Sequence, residues 1–185
     1  MRILFVVPLL ALGCTPADPA DPALALRELA TANAEGVYNA IYDGIEAQDG
    51  IDLWNPGDGY TGSSSLALPA AGGEDFGLDG AIEVDWTLTW SEDSYVYLWD
   101  WTFAVDYAPL VLPSCEVTGA ATWAMTYEYY DYVMSDHTFA GTVTLDDGEP
   151  LEVAYTAHWS GNLHNVQGSI GDVAVDWENP NPDLP

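Results

Sequence analysis

From Ala81 to Glu178 apolar and polar residues alternate with a period of two, almost without interruption. No other feature limits the fold as much, because strands of this kind have one face to bury and one to wet. Ile82, Val84, Trp86, Leu88 and Trp90 interleave with Glu83, Asp85, Thr87 and Thr89, and Tyr95, Tyr97, Trp99, Trp101, Phe103 and Val105 share one side of the next run. Further alternating runs at about 117–129, 133–145, 151–160, 163–170 and 173–178 bring the expectation to about seven strands, with Ser64 to Leu68 as a candidate short strand before them. Apart from the Pro-bearing link from Ala108 to Glu116 the connections are short, so successive strands are expected to pair antiparallel as a meander.

The turns set expected registers, since a slip of one residue would expose the apolar set. A three-residue loop of Asp146, Asp147 and Gly148, with Gly148 left-handed at a bulge, pairs Val143 with Leu151, Phe139 with Tyr155 and His137 with Ala157. A two-residue Gly161–Asn162 turn sets Trp159 opposite His164 and Ala157 opposite Val166. Closing the first hairpin with Ser91 to Ser94 sets Trp86 against Trp99 and Val84 against Trp101, which brings Asp85 opposite Asp100 on the polar face.

Before the strands, Leu26, Ala30, Ala34, Val37, Tyr38, Ile41 and Ile45 recur at helical spacing between Pro22 and about Gln48, with Asp21 as N-cap and Pro22 at the first helical position. The Gly-rich stretch over residues 49–80 follows. One apolar helix stripe and one aromatic-rich sheet face cover each other. The expected fold is therefore α+β: an antiparallel meander of about seven strands, curved or a half-barrel, with an N-terminal amphipathic helix on its apolar face.

The first residues read as an export signal. Arg2 precedes an apolar run from Ile3 to Leu12, too short to span a bilayer, which takes about 20 residues. Leu10, Ala11, Leu12, Gly13 and Cys14 then resemble a bacterial lipobox. The resemblance implies that residues 1–13 are removed as a signal peptide and that Cys14 is lipidated, anchoring the chain to a membrane. By the same analogy Thr15 after the cysteine implies the outer membrane of a Gram-negative cell. Residues 14–21, with repeated Pro and Asp, form a tether, and residues 22–185 one β-rich domain.

Charge narrows the partners. Thirty Asp and Glu stand against two Lys and Arg, for a net charge of -28. Such a chain cannot neutralise phosphates, so nucleic acid is excluded as a partner. Cations and neutral ligands are compatible with it, as is a surface that is acidic for solubility alone. Cys115 has no neighbouring cation to lower its pKa and reads as a buried small residue.

Candidate sites follow from this layout. Opposed Asp85 and Asp100, helped by Glu83 and Thr102, could hold Ca2+, which takes six to eight oxygen ligands; no other cofactor is expected. Asp52, Asn55 and Asp58 lack the spacing of an EF-hand loop. The same Asp pair as a glycosidase couple would lack a cleft to separate its two pKa values. His137 and His164 are expected on the apolar face and His158 on the polar one, which disfavours a shared metal. Trp54 and Tyr60 in the Gly-rich loop, with Tyr130 and Tyr132 at a turn, could stack on neutral glycans or anchor an envelope protein. No nucleophile motif is present. The sequence thus points to a non-catalytic envelope lipoprotein domain for binding or structural assembly. A carrier of an apolar or lipid ligand and a polysaccharide hydrolase are the alternatives, and oligomeric state is left open.

Overall fold

Eight strands answer to the alternating runs, each paired antiparallel with its neighbours in sequence. The computed structural model describes residues 21–47, 52, 59–68, 79–93, 96–129 and 133–180. The strands are β1 (Tyr60–Leu68), β2 (Asp79–Asp93), β3 (Val96–Val111), β4 (Glu116–Tyr129), β5 (Val133–Leu145), β6 (Leu151–Trp159), β7 (Leu163–Ile170) and β8 (Val173–Glu178). The candidate strand at Ser64 to Leu68 is thus real and begins earlier, at Tyr60. The order runs β1 to β8 without closing into a barrel.

The helix begins as its cap residues dictate. Asp21 Oδ1 accepts from the Ala23 amide at 3.0 Å, and Pro22 takes the first position, where no amide donor is needed. Helix α1 (Pro22–Thr31) continues through a π-helical turn (Ala32–Val37) into α2 (Tyr38–Glu46). Its N-terminal part packs near β7 and β8 and its C-terminal part near β1, so it crosses the sheet from one edge to the other. Leu26, Leu29, Val37, Ile41 and Ile45 are all buried there.

The wider π turn widens the inward face and buries a polar side chain, Asn33. Asn33 Nδ2 donates to the Tyr155 hydroxyl at 2.9 Å, and the Tyr107 hydroxyl donates to Asn33 Oδ1 at 2.7 Å. Burial raises the pKa of both tyrosines, keeping them neutral. Asn33→Leu is expected to cost about 2 kcal/mol in urea unfolding, because it strands two buried hydroxyls. Adding Tyr107→Phe and Tyr155→Phe to that variant should recover part of the loss; unchanged stability in Asn33→Leu alone would contradict the role given to this triad.

Three registers were tested by the structure. Val143–Leu151, Phe139–Tyr155 and His137–Ala157 pair as expected. The turn chemistry differs: Asp146 and Asp147 hold the positive φ angles, at 48° and 60°, whereas Gly148 does not. Asp tolerates the left-handed region better than most residues, and a Cβ at Gly148 would lie 2.9 Å from the Leu145 carbonyl oxygen. In the first hairpin the expected register is corrected. Trp86 pairs with Phe103, Leu88 with Trp101 and Asp93 with Val96, so β2 runs on to Asp93, through the residues expected to form the turn, and β3 begins, after two residues, at Val96. At β6 and β7, Ala157 pairs with Val166 as expected, but Trp159 pairs with Leu163 and not His164.

The inward face of the sheet is filled by rings in mutual contact. Phe103 and Trp123 centroids lie 4.7 Å apart, Phe139 and Tyr155 stack at 4.9 Å, and Trp101 stacks on Phe103 at 5.5 Å. His137 sits in this layer, 4% exposed. The Trp123 indole N–H donates to His137 Nδ1 at 3.1 Å, so the ring proton is on Nε2, which faces Ser135 Oγ at 2.8 Å.

Candidate functional site

With the aromatics committed to the interior, the solvent face of the sheet is left to Thr, Ala, Ser and carboxylates. Strand pairing arranges them in cross-strand rows. One row runs Ser65, Glu83, Asp106, Ala120, Thr142, Glu152, and its neighbour runs Ser63, Asp85, Ala104, Thr122, Ala140, Ala154. As far as Thr142 and Ala140, these two rows line an open trough of about 810 Å³. A third row, Thr89, Asp100, Thr126, Asp136, His158, Asn165, crosses the sheet further along, and most of it lines a second trough of about 620 Å³.

Carboxylates in these rows are oriented by donors directly across the strand. Ser63 donates to Asp85, Ser65 to Glu83, Thr126 to Asp100 at 2.8 Å and Thr142 to Glu152 at 3.0 Å, and outside these rows Gln167 donates to Asp176 at 3.1 Å. His158 Nδ1 meets Asp136 Oδ1 at 2.7 Å, a hydrogen bond donated by Nδ1–H when the ring is neutral and the one ion pair among the described residues when it is protonated. Each such exposed contact contributes little to stability, but each limits where the remaining carboxylate oxygen points.

The expected Asp85–Asp100 pair does not form. Asp85 opposes Ala104 and Asp100 opposes Thr89, a consequence of the four-residue slip in the first hairpin register, and the two carboxylates lie in different rows. The like-charge opposition falls instead on Glu83 and Asp106, both exposed and both on the larger trough. Directly opposed like charges destabilise a strand pair. Among the described residues no group of three or more His, Cys, Asp and Glu is placed to hold a metal ion.

Of the expected aromatic binders, Tyr60 is partly buried against the core, and its hydroxyl accepts from the Asp52 amide at 3.4 Å. Its placement is that of a loop-pinning ring. Trp54, Tyr130, Tyr132 and Cys14 lie outside the described residues. Cys115 is buried, and burial raises its thiol pKa, so it is a poor nucleophile. The expected inward placement of His164 is corrected: its ring lies edge-on to that of His158, centroids 5.3 Å apart. The Asp136–His158 contact was not singled out from sequence, although the pairing of Phe139 with Tyr155 already places those two residues opposite each other.

One described cation is fixed, Arg27, and it lies 5.4 Å over the Trp177 ring, where the helix meets the β8 edge. Burial raises the pKa of Glu35, opposed by the Trp159 indole and the Leu163 backbone; that indole N–H nonetheless makes no full hydrogen bond. No described helix is long and apolar enough to cross a membrane. No family model, curated protein or solved structure matches the chain.

Proposed function

We propose that the protein is an exported, lipid-anchored, non-catalytic binding module whose outer sheet face takes cationic partners. The observation that carries this reading is the set of exposed carboxylates on that face, four of them (Glu83, Asp85, Asp100 and Glu152) oriented by a cross-strand hydroxyl, around troughs floored by small side chains. A face built of Ala, Thr and Ser lets an extended cationic chain approach closely, and the net charge of -28 draws it in from a distance. Anions are repelled by the same field. Binding on the outside also fits an interior filled by Trp123, Phe103 and Tyr107, each at most 1% exposed. Export and lipidation rest on the N-terminal segment and Cys14.

The test is the binding of hexalysine peptide, compared between low and physiological salt. Glu83→Gln, Asp85→Asn and Asp106→Asn together are expected to weaken binding by about tenfold, from three partly screened charge pairs at about 0.5 kcal/mol each. Removing the same number of charges at the turns, with Asp147→Asn, Glu149→Gln and Asp172→Asn, should weaken it much less. Equal losses in both triple variants would mean that only net charge attracts the peptide, and would overturn the reading.

A further inference from the structure

We infer that His158 and His164 form a two-histidine site for a borderline-soft divalent metal such as Cu2+, Ni2+ or Zn2+. The site goes beyond the proposed binding of cationic chains and shares only His158 and Asp136 with the smaller trough. Its backbone is irregular in a telling place. The register of β6 and β7 shifts between His158–Asn165 and Trp159–Leu163, so His164 is the extra residue of a β-bulge and pairs with none of β6. Bulges re-aim side chains, and this one brings the His164 ring alongside His158 on the wet face.

Each ring has one nitrogen committed and one left over. His158 Nδ1 faces the Asp136 carboxylate at 2.7 Å and donates to it, leaving the Nε2 lone pair. His164 Nε2 faces the Ser160 carbonyl oxygen at 3.3 Å and donates to it, leaving Nδ1. A ligating histidine is held in this way, its second nitrogen donating to a carboxylate or carbonyl that sets tautomer and ring orientation. The spacing agrees as well. A tetrahedral ion about 2 Å from one nitrogen of each ring sets the ring centres about 5 Å apart, and they are 5.3 Å apart here. His158 is 31% exposed, so an ion can reach it and water can complete the coordination. Imidazole nitrogen selects Cu2+, Ni2+ and Zn2+ over Ca2+ and Mg2+, while the surrounding negative charge favours any dication.

The experiment is a Cu2+ titration of the full chain near neutral pH, read by electron paramagnetic resonance and calorimetry, with the His158→Gln/His164→Gln double variant as the measure of background binding to carboxylates and the chain terminus. The expected result is one site with nitrogen hyperfine structure, at least tenfold tighter than that background, lost in either single variant and retained in His137→Gln. Asp136→Asn, which alters only the positioning group, should weaken it by about tenfold and move the pH of half-saturation. Ca2+ at the same concentration should not compete. A wild-type chain that binds Cu2+ no more tightly than the double variant, or a His164→Gln variant that keeps full affinity and the nitrogen signal, would overturn the inference.

Discussion

Trp123→Ala is expected to lower the stability of the domain by about 4 kcal/mol, the range for deleting a large aromatic from a packed core. Trp123 is wholly buried, lies 4.7 Å from Phe103 between ring centroids, and stacks on His137 at 5.7 Å. Among the described residues its indole is also the only donor to His137 Nδ1. The substitution therefore opens a cavity and leaves a buried acceptor unpaired, two costs that add. Domains of this size are stable by about 5 to 15 kcal/mol, so the variant should unfold at markedly lower urea. Trp123→Phe, which keeps most of the ring, should lose less. A loss under about 1 kcal/mol for Trp123→Ala would mean that the site collapses freely and that this ring layer is not a tightly packed core.

The second large effect is a pH dependence. Burial lowers the pKa of His137 from 6.5 to about 4, with Asp136 raising it and His158 lowering it to smaller extents. As pH falls, the unfolded chain takes up the proton first. The stabilising contribution is therefore complete above about 6.5 and declines as pH falls through the interval to about 4, below which it stays lost. The whole loss is about 3 kcal/mol, from 1.4 kcal/mol per pKa unit. The raised pKa of Glu35 acts in the opposite sense, favouring the folded state in acid, as does relief of carboxylate repulsion. His137→Gln keeps an acceptor for the Trp123 indole without titrating. The difference in urea stability between wild type and His137→Gln should shift against the wild type as pH is lowered from 6.5 to 5. A difference that does not change with pH would contradict the neutral, pinned histidine.

Why some of this was legible in the sequence and some not is a matter of parity. Moving a strand by an even number of residues returns every side chain to its own face, so alternation in Ile82 to Trp90 is satisfied equally by Trp86 opposite Trp99 or opposite Phe103. Only the turn decides, and Ser91 to Ser94 gave no strong turn signal against continuing β2 to Asp93 and starting β3 at Val96. The Asp85–Asp100 cation site fell with that register. Between β5 and β6 the competing slip was odd, and face chemistry alone sufficed to set Phe139 opposite Tyr155. The bulge at His164 is a single odd shift inside a hairpin, invisible to a pattern that counts by twos. Similarly, the π turn retains three- and four-residue spacing between Ala34, Val37 and Ile41, so the helix was legible while the burial of Asn33 was not.

The row structure of the outer face depends on all of these registers together, and so does the binding proposed for that face. Its most direct test is an amide and side-chain nuclear magnetic resonance titration of the isotope-labelled protein with hexalysine. Saturable shifts are expected on Ser63, Ser65, Glu83, Asp85, Asp106 and Thr142, with the buried Asn33 and Trp123 signals unmoved. Shifts confined to the turn at Asp146 to Glu149 or to the N-terminal segment, or no saturable shift at all, would contradict it.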